Sequence, residues 1–258
     1  MFPDAGLGLL GLPLGTRLFS MRTTGLLVVY AKCIRASEEP EWDEWEDDVH
    51  LPALCTPGGP WVATRFELTT RPQLGMPGIG FTHVTIYELD DTDVTAQASC
   101  TLDAHDALRA AGRVHAAHVS VGADVLIPHG RFGIKPEPSP SLRGHILTNV
   151  LCNDSAREDE WDAWYDEQHV PDMLSCGAFG AMSRWERIPR ARVGSNFLTL
   201  YDVNTDSIDE AVERSSATLA EIVAAGRKHE THTGALTVTL RPTGRHGSAG
   251  FRRYSSRG

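Results

Sequence analysis

Residues 41–54 read EWDEWEDDVHLPAL, and residues 160–173 read EWDAWYDEQHVPDM. The two stretches align without a gap at an offset of 119 positions. They share these identical pairs: Glu41 and Glu160, Trp42 and Trp161, Asp43 and Asp162, Trp45 and Trp164, Asp47 and Asp166, His50 and His169, and Pro52 and Pro171. Because a common offset over this many positions is hard to produce by chance, the sequence predicts two copies of one structural unit.

The same offset matches further residues on both sides of the two stretches: Gly25 and Gly144, Cys33 and Cys152, Gly58 and Gly177, Arg65 and Arg184, and Glu67 and Glu186. Around each stretch the pattern predicts strand, helix, strand, strand, helix and strand, which is the order of a ferredoxin-like βαββαβ unit. Helices cover one face of such a sheet and leave the other bare. We therefore predict an α+β fold, in which two tandem ferredoxin-like units pack sheet to sheet as a dimeric α+β barrel within one chain. The helices lie outside, and a central cavity is expected for each half.

Apolar runs, Gly and Pro punctuation and capping residues give the element limits. In the first copy, strands are predicted over 26–30, 61–68, 81–89 and 114–121, and helices over 37–50 and 103–113. In the second copy, strands are predicted over 145–151, 178–186, 197–203 and 236–240, and helices over 155–169 and from a cap at Ser207 to a stop at Gly226. Pro52 and Pro171 are expected to end the first helix of each copy.

These elements divide the chain into five predicted regions. The first repeat is placed at 25–127 and the second at 143–241, with a Pro/Gly-rich linker at 128–142. Residues 1–24 are expected to be a disordered extension, with Met21 as an alternative start, and residues 242–258 a disordered basic tail.

Composition narrows the class of partner. The formal net charge is -10, and the segment after Leu240 carries five arginines and no acid, so the rest of the chain is strongly acidic. Such a surface disfavours nucleic acid. Five cysteines without paired short spacings, no convincing signal peptide and no membrane span predict a reduced, cytoplasmic protein. The expected partner is a small apolar or aromatic substrate, and the internal duplication already forms a pseudo-dimer, while a homodimer is left open.

The string EWDAWYDEQHVPDML at 160–174, followed by Gly177 and Arg184, resembles the EthD-like branch of the dimeric α+β barrel superfamily. The W-x-x-W-Y-x-x-x-H-x-P pattern fits residues 161–171 well and residues 42–52 less well. The resemblance implies the barrel fold and supports a role for His169. It does not select a reaction, because the superfamily includes cyclases, small monooxygenases, dehydratases, haem-using enzymes and members without known activity.

The second copy is the favoured site of chemistry, because Glu46 and Ala53 of the first copy stand where the second has Tyr165 and Asp172. His169 is the candidate general base, with Asp166 and Asp172 to orient its ring. Tyr165 is a candidate hydrogen-bond donor, and Arg184 could stabilise an anion. The remaining candidates for substrate contact are Trp164, His50 and Arg65.

Structural explanations compete with each of these roles. A histidine at a helix end can cap carbonyl groups, and the Trp residues are more often core residues than ligand contacts. Asp43, Asp47, Asp162 and Asp166 are most simply a solvated helix face. Arg65 and Arg184 could pair with Glu67 and Glu186 on their own strands.

The first functional hypothesis is a cofactor-independent enzyme, of cyclase, dehydratase or isomerase type, that moves a proton on an apolar or aromatic carbonyl compound. The second is a binding protein that holds a hydrophobic metabolite in the barrel without converting it. The third is haem- or oxygen-dependent chemistry of the monooxygenase type. No metal site is predicted, because the histidine pairs 115/118 and 229/232 have no clear third ligand.

Overall fold

The computed structural model describes residues 23–69, 80–130, 133–134, 143–247 and 252–253. No helix in these ranges is long and apolar enough to cross a lipid bilayer. The first half contains β1 (Gly25–Cys33), α1 (Glu39–Trp45), α2 (Leu51–Leu54), β2 (Val62–Leu68), β3 (His83–Leu89), α3 (Val94–Ala110) and β4 (His118–Pro128). The short strand β5 (Gly133–Ile134) follows. The second half contains β6 (His145–Cys152), α4 (Glu158–Trp164), α5 (Val170–Ser175), β7 (Phe179–Arg187), β8 (Phe197–Val203), α6 (Ile208–Ala224) and β9 (His232–Gly247), and β10 (Arg252–Arg253) comes last.

The two halves form one closed antiparallel barrel of eight strands. Within the halves the strand orders are β2-β3-β1-β4 and β7-β8-β6-β9. In both halves the second, third, first and fourth strands of a ferredoxin-like unit therefore lie side by side in that order. The halves join edge to edge, because β4 pairs with β7 and β2 pairs with β9. The predicted fold, two ferredoxin-like units in one dimeric α+β barrel, is confirmed.

The barrel interior is filled with apolar side chains from both halves. Alternate residues of the strands point inward and form one cluster: Leu26, Val28, Tyr30, Phe66, Phe81, Val84, Ile86, Leu126, Leu147, Trp185, Leu198, Leu200, Val238 and Leu240. Most of them have no more than 4% of their surface accessible to water. Where the structure is described, the interior is therefore packed core, and the expected central cavity is wrong.

The helix that carries each repeated stretch continues past its proline. In both halves a π-helical turn lies before the proline, at Glu46–His50 and at Tyr165–His169. Proline has no N–H to give to an ordinary helical hydrogen bond, and the wider turn carries the chain across that gap. The expectation that Pro52 and Pro171 end the helices is wrong. His50 and His169 consequently lie within a helix, so the carbonyl-capping explanation does not hold either.

Three of the other differences from the predicted limits change the architecture. Helix α3 begins at Val94 rather than 103, because Asp93 caps it through Ala96 N–H and its first turns bury small and polar residues that carry no apolar pattern. Strand β4 consequently starts later, at His118. Strand β9 runs to Gly247 and pairs with β2, so residues 242–247 are ordered strand rather than part of a disordered tail. The remaining predictions for 1–22, and for most of the linker and tail, lie outside the described residues.

The duplicated glycines Gly25 and Gly144 bring strands close to helices. A Cβ at Gly25 would lie 2.4 Å from Val94 Cγ1, and one at Gly144 would lie 2.7 Å from Ile208 Cδ1. Val94 and Ile208 are the first residues of α3 and α6. The matched glycines thus let the second helix of each half begin directly against the sheet.

Replacing Gly25 by Ala should lower the free energy of unfolding by about 1–3 kcal/mol, because the added methyl group must displace Val94 and the Leu126 carbonyl. Gly122→Ala is the matched control, since a Cβ on that strand residue meets nothing within 4 Å. Urea denaturation of both variants measures the difference. Equal stabilities would contradict the close approach.

Candidate functional site

In the second half, a buried arginine joins the sheet to the motif helix. Arg184 on β7 is 1% exposed. Its Nη2 lies 2.5 Å from Asp162 Oδ1, and its Nη1 lies 2.8 Å from Asp166 Oδ1. The guanidinium also lies 4.1 Å from the ring centre of Tyr165 and 5.3 Å from that of Trp161. Two charge-assisted hydrogen bonds and two aromatic faces therefore fix the helix against the strand.

The first half repeats the arrangement. Arg65 on β2 is 2% exposed, pairs with Asp43, and lies 3.6 Å from Asp47. Its guanidinium is 4.8 Å from the ring centre of Trp42. The interpretation of the four aspartates as a solvated face is wrong, since each one faces a buried arginine.

The expected same-strand pairs of the arginines are also wrong. Glu67 pairs with Arg241, and Glu186 pairs with Arg190 and lies 3.2 Å from His129 Nδ1. The aspartates of the motif helix bind the arginines in place of the same-strand glutamates, because they reach the guanidinium in the buried layer between helix and sheet. Arg65 and Arg184 are consequently engaged in ion pairs and do not present free guanidinium groups to a ligand.

The motif tryptophans attach the first helix of each half to the end of its second helix and to the strand that follows. Trp45 Nε1 donates to the Arg113 carbonyl and Trp164 Nε1 to the Arg227 carbonyl, at 2.8 and 2.7 Å. Trp42 and Trp161 donate to Nδ1 of His118 and His232, both at 3.2 Å. These contacts give Trp164, a candidate for substrate contact, a structural role.

His169 lies in an aromatic layer without a carboxylate. It is 5% exposed, with the rings of Trp164 and Tyr165 at 5.1 and 4.7 Å and the Tyr201 hydroxyl 3.4 Å from Nε2. Its Nδ1 has no hydrogen-bond partner among the described residues. Burial, with added repulsion from His232, lowers the pKa of His169 to about 3. The imidazole is therefore neutral at physiological pH.

The groups expected to assist His169 have other partners. Asp166 binds Arg184, Asp172 pairs with Arg227, and the Tyr165 hydroxyl lies 2.9 Å from Thr199 Oγ1. The expectation that Asp166 and Asp172 orient the ring is wrong, because the arginines compete successfully for both carboxylates. Of the predicted second-half set, the structure thus brings the rings of Tyr165 and Trp164 against His169, but not the carboxylates of Asp166 and Asp172.

The first half instead contains a hydrogen-bonded relay of a carboxylate and two histidines. Glu46 Oε2 lies 2.8 Å from His50 Nδ1, and His50 Nε2 lies 2.9 Å from His105 Nδ1. The indole of Trp45 stacks on His50 at 4.7 Å. Burial opposes ionisation of Glu46, but the imidazoles of His50 and His118 outweigh it and hold the pKa of Glu46 well below its ordinary value. An ionised carboxylate therefore orients His50.

Glu46 and His105 of this relay were not among the candidate site residues predicted from the sequence. Glu46 stands four residues before His50, a spacing that places the two on one helix face, so the signal was present. His105 lies on α3, 55 residues further on, and only the packing of α3 beside the motif helix reveals it. We refer to Glu46, His50, His105 and Arg109, whose Nη2 lies 3.0 Å from His105 Nε2, as the first-half relay.

A surface cavity lies beside Arg184. Its volume is about 220 Å³, and it is lined by His129, Gly130, Asp162, Ala163, Asp166, Glu167 and Arg184. His129 Nε2 is 3.0 Å from Asp162. Hydrogen bonds from His129 and Arg184 outweigh the effect of burial and lower the pKa of Asp162. No group of three or more metal-binding side chains in the described ranges is arranged to hold an ion.

Comparison with known proteins establishes the fold and nothing finer. No protein-family model matches the sequence, and no curated protein matches it. A candidate monooxygenase from Fusobacterium nucleatum aligns over 92% of this chain and 100% of its own, with 12% identity and a TM-score of 0.50. An anthrone oxidase-like protein aligns over 91% and 97%, with 9% identity and a TM-score of 0.53. Chlorite dismutase from Candidatus Nitrospira defluvii aligns over 86% and 93%, with 11% identity and a TM-score of 0.54.

Replacing Arg184 by Met should destabilise the fold by about 3–5 kcal/mol, because Asp162 and Asp166 lose the cation that compensates their burial. Arg192→Met is the control, since Arg192 is exposed. Guanidinium denaturation measures both variants. An Arg184→Met protein as stable as the control would show that the ion pairs contribute little.

Stability should fall as the pH is lowered from about 6.5 towards 4. In that range the unfolded chain binds protons on His169, His232 and His83, whereas burial lowers the folded-state pKa values of these groups to about 3, 4 and 4. Each such histidine adds a slope of up to about 1.4 kcal/mol per pH unit. Thermal unfolding across this range should show a shallower slope for His169→Phe than for the native protein. Identical slopes would mean that His169 is not buried in neutral form.

Proposed function

We propose that this protein is an oxygen-dependent oxidoreductase that begins its reaction by removing a proton from a small aromatic or enolisable compound, with His50 as the proton acceptor. The observation that carries the proposal is the hydrogen bond between Glu46 and His50 Nδ1. A buried carboxylate at that nitrogen fixes the tautomer, leaves Nε2 as the basic atom and stabilises the imidazolium once it forms.

The chemistry is consistent with oxidation without a bound cofactor. Loss of a proton from an activated methylene group leaves a carbanion, whose electron pair can form a bond to dioxygen. The resulting peroxide anion takes up a proton to become a hydroperoxide, which then loses water to leave a ketone, so dioxygen is the oxidant and water the second product. The protein's part is to accept the proton and hold the anion.

Two kinds of likeness support this class. The structural neighbours include a candidate monooxygenase and an anthrone oxidase-like protein, which act by oxidation according to their names. The helix signature resembles the EthD-like branch, and we keep membership of that branch as part of the proposal. The names of the structural neighbours favour oxygen chemistry over the cyclase, dehydratase or isomerase hypothesis, which shares the proton-removal step but consumes no oxygen.

The binding-protein hypothesis relied on an open barrel, and the packed interior gives it no support. Haem, the cofactor left open by the resemblance, needs an accessible axial ligand beside a flat slot. His50 and His169 are buried between packed aromatic rings. The cavity of about 220 Å³ beside Arg184 is smaller than the roughly 300 Å³ at which ligand pockets begin. The described residues do not fit a haem, and we assign no step to one.

Oxygen consumption with anthrone, and with related fused-ring compounds that carry an acidic methylene group, tests the proposal. His50→Ala should reduce turnover by about a hundredfold or more, and Glu46→Gln by about tenfold. His169→Ala is the matched control, because it removes the equivalent histidine of the second half, whose Nδ1 has no hydrogen-bond partner among the described residues. Turnover that survives His50→Ala, or that is lost only in His169→Ala, would overturn the assignment. Conversion without oxygen uptake would favour the isomerase-type hypothesis.

A further inference from the structure

The proton acceptor of the proposed reaction cannot touch a substrate directly in this structure. His50 is 4% exposed, its Nδ1 faces Glu46, and its Nε2 faces His105. His105, on the neighbouring helix α3, is half-buried and forms the outer end of the histidine pair. The route from outside to His50 Nε2 therefore runs through His105.

The hydrogen-bond directions along the relay follow from one residue. Arg109 can only donate, so His105 Nε2, 3.0 Å away, must accept. A neutral imidazole with Nε2 as acceptor carries its proton on Nδ1, which then donates to His50 Nε2. His50 accordingly donates from Nδ1 to Glu46. Each member donates inward, and the chain of donors runs from Arg109 at the surface to the buried carboxylate.

We propose that His105 Nε2 is the atom that takes the proton from the substrate, and that Arg109 binds the oxyanion left behind. This inference rests on the proposed function and narrows its substrate class to oxygen acids, that is, phenols or the enol forms of ketones. The substrate hydroxyl would replace the guanidinium at His105 Nε2, and the displaced Arg109, only one helical turn away, remains next to the developing charge.

The proton balance of the step is complete within the relay. The substrate O–H bond breaks, and its proton goes to His105 Nε2. The Nδ1 proton of His105 passes to His50 Nε2, so that the new positive charge rests on His50 beside the Glu46 carboxylate. The electron pair stays on the substrate, which becomes an enolate or phenolate. This anion shares its negative charge between oxygen and carbon, and the carbon is the atom that reacts with dioxygen.

The surroundings of His105 keep it neutral and therefore able to accept. Burial first, then the nearby His50, His118 and Arg109, lower the pKa of His105 to about 4, with Asp106 acting in the opposite sense. The charge gained in the step moves to His50, which has the carboxylate. This division of tasks explains why two histidines are needed in place of one.

The second half lacks every outer member of the relay. Helices α3 and α6 have the same length, and their twelfth residues are His105 and Leu219. Their sixteenth residues are Arg109 and Val223. The proposed contact site therefore belongs to the first half alone, which gives the second half as an internal control.

The first test uses turnover of anthrone by the full-length protein. His105→Ala should lose at least about a hundredfold in turnover, and added imidazole should restore part of it, because the vacated space admits a free base. Circular dichroism checks that the variant is folded. Native-like turnover in His105→Ala together with a loss in His50→Ala would overturn the inference and leave the proposed function standing. Unchanged turnover in both variants would remove the proposed function as well.

The second test does not depend on turnover and uses p-nitrophenol as the probe. The native protein should bind it as the coloured phenolate at pH values where the free probe is still largely neutral. Arg109→Ala should weaken this binding by about tenfold, whereas Arg113→Ala, which removes the exposed arginine just past the end of α3, should not. Equal binding by the native protein and by Arg109→Ala would overturn the role of Arg109. Equal losses of binding in Arg109→Ala and Arg113→Ala would also overturn that role, because they would show that the phenolate responds only to the general positive charge of the surface.

Discussion

Each half of the barrel contains one arginine that points from the sheet into the buried layer beneath the motif helix. Arg65 and Arg184 meet there the aspartates of the repeated stretch and the face of its first tryptophan. Taking these charges out of water is costly, so the fold tolerates them only while all partners are present. The same contacts set the height and rotation of the helix. The positions of His50 and His169 depend on them.

The spacing that the two stretches share is thus explained by the contacts that hold the motif helix on the sheet, and not by catalysis. The aspartates bind the arginine, the first tryptophan lies under it, and the second tryptophan reaches the end of the following helix. The two halves differ at one position of the motif helix, which is Glu46 in the first half and Tyr165 in the second. They also differ in the surface that the second helix turns towards the motif helix. A scaffold fixed twice by the same contacts can therefore hold an acid–base relay in one half and a packed aromatic layer in the other.

Sequence reasoning reached the fold because duplication and strand patterns are local signals. The strand at 197–203 was predicted with its observed limits, and Ser207 caps α6 as expected. It failed wherever the deciding partner was distant in the chain. The partners of the arginines, the passage of the helix across Pro52 and the position of His105 are set by tertiary packing, which no spacing rule encodes. The preference for the second half followed from Tyr165 and Asp172, whose polar groups face Thr199 and Arg227 in the structure.

The central claim is that the first half holds a neutral, inward-donating pair of histidines on an ionised glutamate. Nitrogen-15 NMR of histidine-labelled protein at neutral pH reads the protonation of each ring nitrogen directly. The account predicts that His50 and His105 both carry their proton on Nδ1 and none on Nε2. A spectrum in which His50 is doubly protonated, or in which His105 carries its proton on Nε2, would contradict it.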